Sequence, residues 1–253
     1  MTQRFTGKTA LVTGGGSGIG RATALAFAAA GATVAVSGRR QEPLDETVRL
    51  IEDAGGKAIA ITADVSSPAD VERLVAATVA ELGGLHIAFN NAGILEAGPL
   101  ADMDQAAWDR LLAVNLTGVF LAMKHEISHM RASGGGVIIN TASSLGAHMR
   151  LPFLGAYAAT KAAVSALTRA AARECIADGI RINAISPGPM DTPMSLRPGE
   201  TEADRAQRLN GALPAGRVGS PSEAAAAVLW LATPEAAFTV GHDLVIDGGA
   251  TAL

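Results

Sequence analysis

Residues 8–20 read KTALVTGGGSGIG, a short apolar run that ends in a cluster of glycines. The run predicts a buried strand, and the segment after it, GIGRATALAFAAAG, predicts a helix. Glycines at such a junction let the backbone turn sharply and approach a pyrophosphate, whose charge meets the N–H groups of the helix. The spacing Gly14-x-x-x-Gly18-x-Gly20 differs from the standard fingerprint G-x-G-x-x-G, and a turn needed only for packing is the alternative. A bound dinucleotide would contact Gly14, Gly16, Ser17, Gly18 and Ile19.

Apolar runs alternate with helix-like segments along the rest of the chain. Strand-like runs stand at 33–38, 57–65, 85–93, 136–144, 180–188 and 243–249, and the longest helices are expected at about 105–131 and 155–178. Continuous apolar strands that alternate with helices are typical of parallel sheets buried on both faces. The pattern predicts an α/β single-domain Rossmann fold over residues 1–253. Its doubly wound parallel sheet would have about seven strands, with helices on both faces.

Composition narrows the class of partner. The net charge of −4 gives no basic field for nucleic acid or an anionic membrane. The single cysteine, Cys175, cannot form an intramolecular disulfide, which fits a cytoplasmic location. We expect no signal peptide and no transmembrane helix, because glycines interrupt the first apolar run and no stretch of about 18 uninterrupted apolar residues follows.

Residues 189–214 are polar and marked by proline and glycine. We expect them to form a substrate lid with a short helix, and a plain surface insertion is the alternative.

The end of the second predicted strand bears on the choice of cofactor. NAD sites usually carry an acidic residue there, which binds the ribose 2′-hydroxyl. This chain has SGRR at 37–40 instead. Arg39 and Arg40 suit a 2′-phosphate, so NADP(H) is favoured over NAD(H), although a solvated arginine would look the same.

The only tyrosine of the chain, Tyr157, stands four residues before Lys161 in GAYAATKAAV. On a helix the two side chains share a face. A nearby ammonium favours the phenolate and lowers the pKa of the tyrosine, which would make it a proton donor and acceptor near neutral pH. Y-x-x-x-K is a weak motif when it stands alone.

Several short motifs stand in one order along the chain: TGGGSGIG (13–20), DV (64–65), NNAG (90–93), Asn115 in VNLTGVF, TASS (141–144), YAATK (157–161) and PGPMDT (187–192). In this order they resemble the classical short-chain dehydrogenases/reductases over essentially the whole length. The resemblance implies an oxidoreductase that interconverts a ketone and a secondary alcohol by hydride transfer.

The resemblance also implies catalytic roles. Tyr157 would be the general acid/base, and Lys161 would lower its pKa and hold the nicotinamide ribose. A serine of TASS would bind the substrate oxygen, and the family spacing of thirteen residues before the tyrosine selects Ser144 over Ser143. Asn115 would hold a water in a proton relay at a helix distortion.

Further cofactor contacts follow from the same resemblance. Asp64 and Val65 would meet the adenine, Asn90, Asn91, Ala92 and Gly93 the ribose, and Pro187, Gly188 and Thr192 the nicotinamide end. The family also implies a homotetramer packed through the two long helices.

The loops after the strands supply the predicted substrate pocket, since ligands of open α/β sheets bind outside the carboxyl ends of the strands. The pocket is mostly apolar, which favours a small or medium hydrophobic ketone or secondary alcohol. Its predicted lining is Ser144, Leu95, Glu96, His148, Phe153, Met190 and Met194.

The stretch HEISH at 125–129 matches the zinc-peptidase signature H-E-x-x-H. His125 and His129 point largely away from the apolar stripe of Met123, Ile127 and Met130 at helical spacing. A third histidine is missing at the extended-motif position, where Gly135 stands. We therefore expect a solvated helix face and no metal site.

Three alternative functions are compatible with parts of this pattern. A 3-oxoacyl-carrier-protein reductase shares every motif, although the acidic balance argues mildly against docking an acidic carrier. A non-catalytic cofactor-binding protein is disfavoured by the complete set of Ser144, Tyr157, Lys161 and Asn115. A zinc hydrolase acting through His125, Glu126 and His129 is the most remote alternative.

Overall fold

The computed structural model describes residues 3–197, 199–211 and 213–252. Its seven strands are β1 (Thr9–Thr13), β2 (Thr33–Gly38), β3 (Lys57–Thr62), β4 (Ile87–Asn90), β5 (Gly136–Thr141), β6 (Ile180–Pro187) and β7 (Asp243–Ile246). They form one parallel sheet in the order β3-β2-β1-β4-β5-β6-β7. The order reverses between β1 and β4, and this switch point opens the crevice in which doubly wound folds bind ligands.

Eight α-helices connect the strands. They are α1 (Gly18–Ala29), α2 (Gln41–Asp53), α3 (Pro68–Leu82), α4 (Gln105–Leu112), α5 (Gly118–Ala132), α6 (Gly155–Cys175), α7 (Glu202–Asn210) and α8 (Pro221–Ala232), counted over the described residues. The predicted single-domain fold with helices on both faces of the sheet is confirmed.

Two apolar cores cover the two faces of the sheet. On one face Val12 of β1 packs with Phe27 of α1 and Val228 of α8. On the other, Leu11 packs in a cluster with Leu74 of α3 and Val164 of α6. Adjacent residues of β1 thus enter opposite cores, which explains why its three central residues, 10–12, are all apolar.

The helix predicted over 105–131 is continuous but irregular. A π-helical stretch, Ala113–Thr117, separates α4 from α5 and contains Asn115. The Asn115 side chain is fully buried and bonds both backbone groups of Ile94, which fixes the distortion beside β4.

The run Gln105–Ala132 is also long and apolar enough to cross a membrane by length and composition alone. The core helices of globular proteins meet the same test. Here Asn115 and Glu126 lie fully buried on this run.

The segment 189–214 contains the expected short helix, α7. Arg205 of α7 is buried and pairs with Asp191 at 2.7 Å, while Arg208 pairs with Glu200. The segment includes residues 198 and 212, which lie outside the described residues, and its role as a lid remains a prediction.

Candidate active site

The glycine turn between β1 and α1 is packed so closely that side chains would not fit. Gly14 has a φ of +66°, and a Cβ there would lie 2.8 Å from the Asn91 amide nitrogen. A Cβ on Gly20 would lie 2.1 Å from the Gly14 carbonyl oxygen. The first turn of α1 therefore sits directly on the loop, as a phosphate-binding junction requires.

The N-terminus of α1 is suited to an anion. The Ser17 side chain makes no capping hydrogen bond and the first turn carries no acidic residue, so its N–H groups have no side-chain acceptor there. Arg39 and Arg40 are exposed where β2 ends. The residues present fit a dinucleotide, with the pyrophosphate at the helix end and the adenosine beside β2.

The Thr13 hydroxyl joins the glycine turn to the NNAG segment. It accepts hydrogen bonds from the backbone N–H groups of Asn91 at 3.0 Å and Ala92 at 3.1 Å. The Asn91 side chain donates to the Thr13 carbonyl oxygen at 3.2 Å. Sequence reasoning did not single out Thr13, although its place at the end of β1 could have indicated this role.

Asn90, predicted to contact the ribose, faces the protein interior instead. Its amide donates to Glu126 and to Asn140, each at 3.0 Å, and it is 3% exposed. The alternation of side chains along β4 explains the difference, because successive residues of a strand point to opposite faces. Asn90 is thus part of a buried polar cluster.

The other predicted adenosine contacts, Asp64 and Val65, lie beyond the end of β3. The Asp64 carboxylate accepts from the Ser66 N–H at 2.9 Å and from the Ser66 hydroxyl at 2.6 Å. Val65 packs so near α5 that a Cβ on Gly118 would lie 3.0 Å from it. Both residues therefore occupy a rigid edge of the crevice.

The nicotinamide end is assembled from the residues after β6. A Cβ on Gly188 would lie 2.6 Å from the Asp247 Cβ, so the PG turn requires glycine. Thr192 reaches back to the glycine turn, where its methyl group would lie 3.1 Å from a Cβ on Gly18. The predicted residues at the two ends of the crevice are thereby brought together.

Lys161 and Asn115 meet behind Gly93. A Cβ on Gly93 would lie 3.3 Å from the Asn115 side-chain oxygen and 3.5 Å from the Lys161 Nζ. The Asn115 amide also donates to the Thr160 hydroxyl at 3.2 Å. The predicted residues of the relay therefore share one buried site, at the π-helical distortion.

The Tyr157 hydroxyl does not show the lowered pKa predicted from its lysine neighbour. Burial raises the pKa of Tyr157, and a hydrogen bond with Ser143 opposes that rise. The Lys161 Nζ lies 5.9 Å from the centre of the Tyr157 ring, and burial lowers the pKa of Lys161 to about 8. Desolvation of the buried phenol governs its pKa in this structure, and the nearest ammonium lies over the ring.

Two serines stand after β5, and the choice of Ser144 over Ser143 stays a prediction; of the two, the Ser143 hydroxyl is the one that lowers the pKa of Tyr157. Ser143 has extended backbone and caps the turn that follows, with its hydroxyl accepting from the Leu145 N–H at 3.1 Å. Ser144 begins the π-helical turn 144–148 and is 1% exposed. Side chains on neighbouring extended and helical residues point in different directions, so a spacing rule cannot separate the two.

Three of the predicted substrate contacts are engaged elsewhere. Glu96 pairs with Arg110 at 3.1 Å, and the His148 Nε2 lies 3.0 Å from the Asp243 carboxylate. Met190 is 5% exposed and packs in the core on the α1 side of the sheet. Long polar and thioether side chains in loops find partners within the fold, which sequence position alone does not reveal.

The remaining predicted lining is apolar and accessible. Leu95, Phe153 and Met194 are exposed, and Phe153 has a φ of +68°, which is unusual for a residue with a side chain. Its carbonyl oxygen is held by the Gly98 N–H at 2.8 Å. Tyr157 itself packs with Ile94, Met103, Trp108 and Leu145.

The HEISH segment lies on α5. Glu126 is fully buried, whereas His125 and His129 are partly exposed. Over the described ranges, no three His, Cys, Asp or Glu side chains are grouped to hold a metal ion. The Glu126 carboxyl instead joins the cluster of Asn90 and Asn140, and burial raises its pKa to about 7.

Comparison with known proteins identifies the family. A family profile described as "Enoyl-(Acyl carrier protein) reductase" matches residues 14–251. The chain is 42% identical over 255 residues to the cis-4-hydroxycyclohexanecarboxylate dehydrogenase of Sinomonas cyclohexanicum, with 100% of both chains covered. It is 44% identical over 251 residues to the 2,5-dichloro-2,5-cyclohexadiene-1,4-diol dehydrogenase of Sphingobium indicum, covering 98% of this chain and 99% of the relative.

A solved structure gives the same result. The crystal structure of a short-chain type dehydrogenase/reductase from Mycobacterium marinum superposes with a TM-score of 0.94 at 39% identity, covering 99% of this chain and 98% of the other. Likeness over the full length, in sequence and in fold, agrees with the glycine turn, the Tyr157–Lys161 pair and the order of the strands. This chain is an oxidoreductase and belongs to the short-chain dehydrogenase/reductase family.

Proposed function

We propose that this enzyme interconverts a cyclic secondary alcohol and its ketone and that it prefers NADP(H). One observation carries the proposal: the hydroxyls of Tyr157 and Ser143 are buried at the edge of the crevice, and Lys161 is tied to the end of the strand before Ser143 by a 2.7 Å bond to the Thr141 carbonyl oxygen. Two relatives named for the oxidation of hydroxylated six-membered rings support the choice of substrate class.

The two hydroxyls suit the chemistry of a carbonyl oxygen. In ketone reduction Tyr157 donates its proton to the oxygen while Ser143 donates a hydrogen bond to it, and in alcohol oxidation Tyr157 accepts the proton. NADP(H), when bound, supplies or accepts the hydride. The raised pKa of Tyr157 keeps the phenol protonated at neutral pH, which favours its role as the acid.

Lys161 and Asn115 would take part in proton transfer rather than in binding the substrate. Lys161 is fixed beside Asn115 and Gly93, where a nicotinamide ribose would pass. Asn115 lies in the π-helical stretch, a distortion of the kind that often stands at functional sites. We assign these two residues to ribose binding and to proton exchange with solvent.

The substrate pocket favours an alicyclic ring. Leu95, Phe153 and Met194 offer exposed apolar surface on the loops around Tyr157, and the cyclohexane skeleton named in the relatives is apolar apart from its oxygens. These contacts add binding energy through burial and leave Tyr157 and Ser143 to orient the oxygen.

The test is a panel of cycloalkanols, cycloalkanones and open-chain analogues, assayed with both cofactors, for the wild type and Tyr157→Phe. We expect cyclic substrates to have the higher kcat/KM in the wild type. The variant should bind the dinucleotide with unchanged affinity and lose turnover. Turnover by Tyr157→Phe at the wild-type rate would overturn the mechanism, and activity confined to open-chain substrates would overturn the substrate class.

Cofactor preference rests on Arg39 and Arg40. Both guanidinium groups are exposed at the end of β2, where an adenosine 2′-phosphate would lie. The double variant Arg39→Ser/Arg40→Ser should lower kcat/KM for NADP(H) and leave that for NAD(H) nearly unchanged. Arg173→Ser, which removes an exposed charge on α6, is the matched control. An equal loss with both cofactors would contradict the preference.

A 3-oxoacyl-carrier-protein reductase is the less favoured alternative, because the relatives described above are named for free cyclic alcohols. Acetoacetyl thioesters in the same panel test it. Cytoplasmic location and a homotetramer are further proposals. Phe120, 49% exposed on α5, supports an interface through the long helices, and sedimentation of the wild type against Phe120→Glu would test that.

The lid proposed for 189–214 has its own test. Limited proteolysis with and without NADP⁺ should show protection of this segment in the bound state. Equal cleavage in both states would leave it a surface insertion.

A further inference from the structure

A buried carboxylate lies next to the loop that carries Ser143. The Asp243 side chain is 1% exposed and accepts hydrogen bonds from the Ser165 and Ser186 hydroxyls, each at 2.6 Å, and from the His148 Nε2 at 3.0 Å. The His148 tautomer that carries its hydrogen on Nε2 donates that bond to the carboxylate oxygen. Of these three partners, only His148 can also carry a positive charge.

The partners of Asp243 come from three elements of the active site. Ser165 lies on α6 one turn after Lys161, whose carbonyl oxygen it also contacts at 3.3 Å. Ser186 lies in β6 directly before the PG turn. His148 closes the turn that begins at Ser144, next to Ser143. One carboxylate therefore connects three elements. They are the loop 143–149, called the serine loop below, the helix α6 that carries Tyr157, and the end of β6 at the predicted nicotinamide contacts.

The serine loop depends on such an anchor because its backbone is irregular. Leu145 and Gly146 have non-helical angles within the turn 144–148. The loop's own backbone bonds run between its members, from the Met149 N–H to the Ser144 carbonyl oxygen at 2.8 Å and from the Gly146 N–H to that of Met149 at 2.9 Å. These bonds hold the turn together but do not fix it on the sheet, whereas the side-chain contact of His148 reaches residue 243.

We propose that His148 and Asp243 are positioning residues, which hold the loop 143–149 on the sheet so that its serine hydroxyl stays beside Tyr157. This role rests on the proposed function of Ser143. It replaces the substrate contact that the sequence assigned to His148. Holding a hydrogen-bond donor to within an ångström matters for rate, since misplacement of that size can cost about a hundredfold.

The test compares three replacements of His148 that differ in reach. Gln places an amide nitrogen near the position of Nε2 and should keep the bond to Asp243, whereas Asn is too short and Leu has no donor. We expect His148→Asn and His148→Leu to lower kcat at least about tenfold, with the dinucleotide affinity unchanged, and His148→Gln to restore most of the loss. His125→Leu, which removes a partly exposed histidine of α5 outside the proposed site, is the control and should change kcat less than threefold, roughly.

A second measurement does not depend on activity. Hydrogen–deuterium exchange of the segment 143–149 should rise in His148→Leu and in His148→Asn, remain near wild type in His148→Gln, and stay unchanged in the glycine turn 13–20 of every variant. Unchanged exchange in His148→Leu, or equal loss of kcat in the Gln and Leu variants, would overturn the positioning role. Failure of the wild type to oxidise any cycloalkanol would count against the proposed function alone, because the exchange result stands without it.

Discussion

The Lys161 Nζ donates a 2.7 Å hydrogen bond to the carbonyl oxygen of Thr141. Lys161 lies on α6, and Thr141 ends β5, two residues before Ser143. The bond ties the lysine to the strand that leads into the serine loop. The lysine is 3% exposed, and burial lowers its pKa to about 8. The position of Lys161 is therefore set before any ligand binds. Because burial disfavours the charged ammonium, keeping this lysine protonated lowers the stability of the folded protein.

Lys161→Met should lose turnover and change the pH dependence of stability. In the wild type the folded-state pKa of about 8 lies below the ordinary value of 10.5, so the unfolded chain binds more protons between these values and stability rises with pH across that window. The variant lacks this dependence. The difference in stability, variant minus wild type, should therefore be larger at pH 7 than at pH 10.5 by on the order of 3 kcal/mol. Urea unfolding at both pH values measures this, and a constant difference would contradict the burial of a charged lysine.

Ser143→Ala and Ser144→Ala should separate the two serines. The Ser143 hydroxyl lowers the pKa of Tyr157, and we propose it as the donor to the substrate oxygen, so its loss should reduce kcat by about a hundredfold, in the range known for one stabilising donor. Ser144→Ala should keep kcat within about threefold of the wild type, the scale of one ordinary hydrogen bond at most. Steady-state kinetics with one cycloalkanone suffices. The reverse ranking would restore the serine chosen by spacing.

Glu126→Gln should stabilise the protein above neutral pH. The folded-state pKa of about 7 lies above the ordinary 4.5, so the folded chain binds more protons in this window and stability falls as pH rises through it. Gln keeps an oxygen for the Asn90 amide but carries no charge. The stability gained by the variant should grow by on the order of 3 kcal/mol between pH 4.5 and pH 8.

Chemical unfolding of Glu126→Gln at several pH values tests this, with Glu52→Gln on the exposed face of α2 as the control. A gain that does not vary with pH would mean that Glu126 stays ionised in the folded protein.

Gly20→Ala should weaken dinucleotide binding more than the same substitution at a glycine that has no close neighbours. The added methyl group would lie 2.1 Å from the Gly14 carbonyl oxygen, so α1 must move away from the turn. We expect a loss of about 1–3 kcal/mol in stability and at least about a tenfold loss in affinity. Gly98→Ala is the matched control, because a Cβ there has no neighbour within 4 Å in the described structure. Fluorescence titration with NADPH compares the two, and equal affinities would contradict the close packing of the turn.

The sequence predicted most of the fold because the fold depends on regular patterns. The run TALVT forms β1, as predicted, and buries alternate residues in opposite cores. The glycines after it form the turn into α1. Tyr157 and Lys161 share a helix, so their common face follows from helical spacing. The distortion at Asn115 was also expected, from the family resemblance.

The errors lie where the backbone is irregular or where the partner is distant in sequence. Ser143 has extended backbone and Ser144 begins the irregular turn, so spacing alone does not say which of the two hydroxyls meets the substrate. The inward orientation of Asn90 depends on Glu126 and Asn140, which lie on other elements. No local pattern encodes such pairs, because a buried polar group takes whichever partner the packed elements present.

By itself the sequence determined the order of strands and helices, the glycine turn and the residue types available for hydride-transfer chemistry, since these follow from periodicity and from backbone conformations that only glycine adopts readily. The tertiary structure alone decided that Asn90 bonds the buried Glu126, that burial governs the pKa values of Tyr157 and Lys161, and that His148 bonds a carboxylate 95 residues away. The physical reason is that side-chain direction and desolvation depend on all the elements packed around a residue, and these meet only when the chain has folded.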